Sequence, residues 1–256
     1  MARKYYVVWE GRSTGIFTDW NTCKKQVDGF PGAKYKSFEI REEAEAAFGK
    51  KPTYSSKKKK IEGRRKSPAN STQPTLGSEQ VDKVPVDTKI FTDGACDPNP
   101  GEAGSGIVLY RKNSISELWY GLYNPSGTNN TAELNALYQA LAISKSELES
   151  GNSVSIFCDS KYSIQCVTQW ASSWEKKGWK RSGGEIKNLD LIKKMYTLYQ
   201  SIKGKVQVFH VNGHVGIEGN ELADRMSILA IEAREESFCL YRKKIDIEQI
   251  LSMREG

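Results

Sequence analysis

The chain has no Cys-x-x-Cys and no closely spaced cysteine pair: Cys23, Cys96, Cys158, Cys166 and Cys239 form an odd, scattered set. That spacing argues against a disulfide framework and against a zinc site, and it fits reduced thiols in a cytoplasmic protein. No apolar run approaches the ~18 residues of a membrane span. Met1-Ala2-Arg3-Lys4-Tyr5 carries charge where an apolar leader would stand, so neither secretion nor membrane insertion is expected. Histidine is scarce, with only His210 and His214, and no internal repeat is present. Acidic charge is sparse in one region. Residues 1–86 carry 18 Lys and Arg against 10 Asp and Glu, whereas residues 87–256 carry 20 against 21. The net charge of +7 therefore resides in the first third. A basic arm beside a near-neutral remainder suits a polyanionic partner, with nucleic acid the leading case. Hydrophobic content of 38% and charged content of 27% leave ordinary material for one medium domain and a smaller one.

The organisation follows from local patterns. Residues 1–48 read as a small aromatic-rich α+β unit: a strand at Lys4–Trp9, a turn, a returning strand at Ile16–Phe17, and a helix capped by Asp19 that runs to about Val27. A third strand at Lys34–Phe38 and a helix from Arg41 to Phe48 complete it. Residues 49–86 read as a basic, flexible linker, because 50–66 hold nine basic residues against Glu62 and 67–80 are rich in Ser, Thr, Pro and Gln. Residues 87–234 show strands near 88–95, 104–111, 115–123, 153–159 and 205–211, alternating with helices after the third strand. The pattern implies an α/β domain with a mixed five-stranded sheet flanked by helices. Leu134, Leu137, Tyr138 and Leu141 mark one helix, Thr131–Ser144, by their helical spacing. Residues 235–256 form a C-terminal extension with an amphipathic stretch at Ile245–Leu251, expected to pack on that domain.

Four acids stand out by context: Asp93 in Thr92-Asp93-Gly94, Glu133 five residues beyond Thr128, Asp159 closing an apolar run, and Asp224 in Asn220-Glu221-Leu222-Ala223-Asp224. Each has a plain alternative: a turn aspartate, a dipole-compensating glutamate, a helix cap and a solvated helix face respectively. Gathered together they would repel one another unless a cation lay between them. Oxygen-only ligands suit hard divalent ions, magnesium above all, and point to a metal-dependent phosphodiester hydrolase.

The order Thr92-Asp93-Gly94, Thr128-Asn129-Asn130 with Glu133, Asp159-Ser160, Gly213-His214-Val215-Gly216 and Gly219-Asn220-Glu221 with Asp224 resembles the type 1 ribonuclease H family. The resemblance implies endonucleolytic cleavage of the RNA strand of RNA/DNA hybrids, with 5′-phosphate and 3′-hydroxyl products. It makes Asp93, Glu133, Asp159 and Asp224 the ligands of two Mg2+ ions, with Mn2+ as a substitute, and His214 a mobile proton carrier. Asn99, Thr128, Asn129, Asn130 and Asn188 match substrate contacts, and Trp170 and Trp174 match the groove for DNA sugars. Ser126 stands where some members have arginine. The N-terminal unit is similar to the family's hybrid-binding domain, with Tyr6 and Trp20 on DNA sugars and Arg12 and Lys36 on phosphates. Ser37 replaces a second family lysine there. The expected partner is a hybrid duplex, with no membrane, no obligate protein partner and a monomeric chain. A non-catalytic hybrid or double-stranded RNA binder and a DNA nuclease of the same superfamily are the alternatives.

Overall fold

In the computed structural model of the chain, residues 5–28, 30, 33–38, 41–48, 75–181, 183–213 and 216–256 are described. Two units, residues 1–69 and 70–256, each have their own core.

In the first unit Tyr5–Glu10 (β1), Gly15–Phe17 (β2), Trp20–Val27 (α1), Lys34–Phe38 (β3) and Arg41–Phe48 (α2) follow one another. The strands form an antiparallel sheet in the order β2-β1-β3. Asp19 starts α1 by accepting from the Thr22 amide at 2.8 Å, as its residue type favours. Neighbouring strand residues face opposite sides, so Val7 and Val8 can both be fully buried only if both faces are covered. Val8 packs with Cys23 and Val27 of α1, and α2, with Ala44 buried, packs against β1.

The second unit contains Thr75–Leu76 (β4), Ser78–Asp82 (α3), Thr88–Asp97 (β5), Gly101–Arg111 (β6), Ser114–Gly127 (β7) and Asn129–Glu149 (α4). These are followed by Val154–Cys158 (β8), Lys161–Gln165 (α5), a π-helical turn at Cys166–Trp170, and Ala171–Lys176 (α6). Leu189–Ile202 (α7), Val206–Val211 (β9), Glu218–Glu232 (α8), Cys239–Leu240 (β10) and Ile247–Leu251 (α9) complete it. The sheet order is β10-β7-β6-β5-β8-β9-β4, antiparallel from β10 to β5 and parallel from β5 to β4. Period-two alternation sorts the core. Ile90, Ile107 and Ile156 face α4 and α7, whereas Phe91, Val108 and Phe157 face α8. Continuous apolar runs in β5 and β8 are what a sheet covered on both faces requires.

Two expectations change. The five expected strands are the centre of a seven-stranded sheet, extended by the two-residue strands β4 and β10. Residues 75–86, assigned by composition to the flexible linker, instead carry β4 and α3. Leu76 pairs with Val211, and Leu76 and Val81 are buried in the α8-facing core. Two apolar anchors suffice to dock a polar segment, and average composition conceals them. The remainder of the linker, residues 49–74, and His214 lie outside the described residues. In the C-terminal extension the amphipathic stretch yields only the short α9, which buries Ile250 against the core, while β10 pairs with Trp119 and Tyr120.

Candidate active site

The parallel register of β5 and β8 sets Thr92 opposite Cys158. Asp93, in the middle of β5, and Asp159, just past the carboxyl end of β8, are therefore neighbours across the two strands. Two glycines then admit the helices. A Cβ on Gly94 would lie 2.2 Å from the Glu133 amide nitrogen, so only glycine lets the Ala132–Glu133 backbone of α4 come this close to β5. Gly106 stands opposite Asp93 on β6, and a Cβ there would lie 2.1 Å from the Ala223 carbonyl of α8. The motif Thr-Asp-Gly thus combines a carboxylate with the gap that admits a second carboxylate, and α8 delivers Asp224 through the other gap.

The resulting cleft has a volume of about 530 Å³ and is lined by Asp93, Glu133, Asp159 and Asp224. Asp93, Glu133 and Asp224 are only 8%, 6% and 4% exposed, so their charges are largely withdrawn from water. Burial, followed by the charges of Asp159 and Asp224, holds the Asp93 carboxyl well above the usual carboxylate range. Burial, then Asp93 and Asp159, does the same to Glu133. The Glu133 Oε2 atom is buried with no hydrogen-bond partner. Ligand atoms of Glu133, Cys158 and Asp159 lie within 4.8 Å of one another. Buried, mutually repelling carboxylates with an unsatisfied oxygen fit a hard divalent cation, which would supply the missing partner and the missing charge.

Neighbouring groups orient the acids. Asp93 Oδ1 accepts from the Gly94 amide at 2.7 Å. Asn220 Nδ2 donates to Asp159 Oδ2 at 3.1 Å. His210 Nε2 lies 3.1 Å from the Asp159 carbonyl and its Nδ1 lies 2.7 Å from Thr75 Oγ1, so this histidine braces the sheet edge. Asp224 is ion-paired with the adjacent, buried Arg225.

A second hollow beside α4 is lined by Asn99, Thr128, Asn130, Thr131, Lys187 and Asn188. Asn99 Oδ1 accepts from the Asn129 amide at 3.3 Å, and Thr131 Oγ1 donates to Asn188 Oδ1 at 3.1 Å. Asn188 starts α7 with φ of 57°, a left-handed conformation that asparagine tolerates. Asn129, between Thr128 and Asn130 in the chain, lines the carboxylate cleft, so the two hollows adjoin. Trp170 and Trp174 are both half-buried, with ring centroids 5.8 Å apart, and back onto the α4-facing core. In the N-terminal unit Trp20 lies between Tyr6 and Tyr35, at 5.5 and 5.8 Å. Trp20 and Tyr35 are exposed there, as is Lys36. Arg12 spends donors on the Lys25 and Asp28 carbonyls at the end of α1.

The sequence reading missed Thr131, Lys187, Tyr35 and three cleft residues, Arg254, Glu255 and Gly256. Thr131 and Tyr35 adjoin motif positions and were within reach. The last three join the site only because the chain folds back, and no local pattern signals that.

Residues 85–232 match the family described as RNase H, and residues 4–48 match the one described as Ribonuclease H1 N-terminal domain. Ribonuclease H1 of Homo sapiens is 30% identical over 257 aligned residues, which cover 87% of each chain. Ribonuclease H of Methylorubrum extorquens is 36% identical over 145 residues, 57% of this chain and 60% of its own length. Among solved structures, LC9-RNase H1, a type 1 RNase H with the type 2 active-site motif, aligns with a TM-score of 0.51. That alignment has 23% identity and covers 65% of this chain and 81% of the other, a likeness of fold.

Proposed function

The chain belongs to the ribonuclease H family of enzymes, and from that premise we propose that it cleaves the RNA strand of RNA/DNA hybrids at the Asp93–Glu133–Asp159–Asp224 cleft. The observation that carries the assignment is the burial of mutually repelling carboxylates in one cleft, with Glu133 Oε2 left unsatisfied. The four acids would hold two divalent ions, Mg2+ foremost and Mn2+ in its place. When bound, such ions supply the positive charge that an in-line displacement at phosphorus needs, along with hydroxide near neutral pH.

The chain's own residues do the rest. Gly94 and Gly106 keep the acids within one cleft, and Asn220 fixes the Asp159 carboxylate. With the acids so fixed, water would attack the RNA phosphorus in line with the 3′ oxygen, the bond from phosphorus to that oxygen would break, and 5′-phosphate and 3′-hydroxyl ends would remain. His214 carries the proton to or from the reaction. The Asn99, Asn129 and Asn130 amides read the 2′-hydroxyls and base edges that distinguish the RNA strand. Thr128 and Asn188 hold a DNA phosphate, with Thr131 and Lys187 completing the hollow. Trp170 and Trp174 receive the DNA sugars.

Residues 1–48 act as a hybrid-binding domain through Tyr6, Trp20 and Lys36, with Arg12 as a further phosphate contact. Residues 87–234 form the catalytic domain, and the basic segment between the two tethers them. A tether of this kind raises the local concentration of substrate. Among the described residues no helix is long and apolar enough to cross a membrane.

The test is digestion of a labelled hybrid with Mg2+, beside RNA/RNA and DNA/DNA controls and a sample in chelator. Metal-dependent cleavage confined to the RNA of the hybrid is expected. Intact RNA, or equal cleavage of duplex DNA, would remove the proposal.

A further inference from the structure

The cleft that holds the carboxylates is also lined by Arg254, Glu255 and Gly256. These residues lie beyond the stretch that matches the RNase H family. Ile250, 1% exposed, and Met253 pack into the α8-facing core and bring the chain to the lip of the cleft. From there the backbone amide of Gly256 faces both oxygens of Asp224, at 3.1 and 3.2 Å. Arg225 joins Asp224 to the segment: its guanidinium meets the Leu251 carbonyl at 3.3 Å and Glu255 at 3.0 Å. Arg254 is ion-paired with Asp97, two residues before Asn99.

We infer that Arg254, Glu255 and Gly256 form a self-occluding strap, seated in the carboxylate cleft when no nucleic acid is bound and displaced when a hybrid enters. The inference rests on the proposed role of the four acids. Arg254, Glu255 and Gly256 take up space beside the acids, in the cleft that an RNA phosphate would have to enter. A cation at Asp224 and the Gly256 amide also compete for the same oxygens. The strap is held by ion pairs and a backbone hydrogen bond: Arg254, Glu255 and Asp97 keep 53%, 69% and 57% of their side-chain surface exposed, whereas Arg225, at 6%, is buried. The exposed Arg254–Asp97 pair is weak and Glu255 itself stands mostly in solvent, so the segment can be released while Ile250 keeps its anchor.

Two variants of the full chain test this. In Arg254→Ala/Glu255→Ala the strap loses its ion pairs. If it is seated in most free molecules, KM for hybrid should fall about 3- to 10-fold with kcat unchanged. An unchanged or raised KM would overturn the strap, and a raised KM would mark Arg254 as an ordinary phosphate contact. The second variant is Ala95→Cys/Gly256→Cys. An ideal Cβ on residue 256 lies 3.5 Å from the Ala95 Cβ, within reach of a disulfide. That Cβ also crowds Asp224, so the reduced form of the same variant is the reference. Oxidation should suppress cleavage and reductant should restore it, with the cross-link between positions 95 and 256 identified by peptide mass. Full activity of the oxidised, mapped species would refute the inference. Saturating hybrid should also slow formation of the cross-link, and this protection is read without any cleavage. A protein that cuts no hybrid yet shows protection would lose the functional reading while the strap stands.

Discussion

Glu133→Gln should make the metal-free protein more stable while ending its activity. At 4.8 Å, the limiting separation of the Glu133 and Asp159 ligand atoms, two unit charges at an effective dielectric of about 20 repel by about 3 kcal/mol. The amide removes that repulsion and the cost of burying a charge. A raised carboxyl holds its proton more firmly than a free one, which trims the gain, so we expect about 1–3 kcal/mol. For a domain of this size that is a rise in Tm of about 2–12 °C. The pH dependence has a definite sign. Folded Asp93 and Glu133 titrate above their ordinary range, so the folded state keeps protons that the unfolded chain has released above about pH 4. Metal-free wild-type stability therefore falls as pH rises from there, and levels off once the folded carboxyls have ionised. The variant should show a shallower decline. Calorimetry in chelator across that range, repeated with Mg2+, measures both effects, because an ion that binds only the folded state raises the wild-type Tm most. A Glu133→Gln protein that melts below wild type in chelator, with the same pH slope, would show that the cluster stores no repulsion.

Asp93→Asn should lower kcat for hybrid cleavage by at least about 10³-fold, as loss of a key electrostatic group does, while hybrid affinity by anisotropy stays near wild type. Trp20→Ala should weaken hybrid binding by about 5- to 150-fold, from the ~1–3 kcal/mol of a nucleotide stacked on an aromatic ring. Its single-turnover cleavage at saturating enzyme should match wild type; a slower chemical step would contradict a purely binding role. Glu147→Ala tests the fold alone. This buried carboxylate accepts from Thr88 at 2.8 Å, Asn152 at 2.8 Å and Arg111 at 2.7 Å. Burial alone would raise its pKa, but the hydrogen bonds from Arg111, Thr88 and Asn152 outweigh burial and hold it below the usual range. The truncation should cost about 2–4 kcal/mol near neutral pH. The difference from wild type should shrink as pH falls through the folded pKa, and a constant difference would contradict the network.

Much of the fold was legible because its signals are local. Asp19 at a helix start and the aromatic and β-branched run Tyr5-Tyr6-Val7-Val8-Trp9 helped to place each element of the N-terminal unit within a residue or two. The helical spacing of Leu134, Leu137 and Leu141 marked the core face of α4 but missed its ends, since Asn129 and Glu149 carry no periodic signal. The two edge strands stayed hidden because Thr75–Leu76 and Cys239–Leu240 are too short to alternate. They are strands only because β9 and β7 offer them partners. Arg225 carries no local sign of burial, yet it is buried because residues 251–255 fold over it.

By itself the sequence determined the residue types of the site, their order and the family they belong to, because a ligand oxygen, a glycine gap and a helix cap are properties of single residues and their near neighbours. Only the tertiary structure decided that the acids share one buried cleft and that Arg254–Gly256 enter it. Those facts depend on β5–β8 register, on how closely α4 and α8 pass Gly94 and Gly106, and on where an apolar anchor such as Ile250 docks. Each is a contact between residues far apart in the chain, where packing decides and spacing along the sequence carries no information.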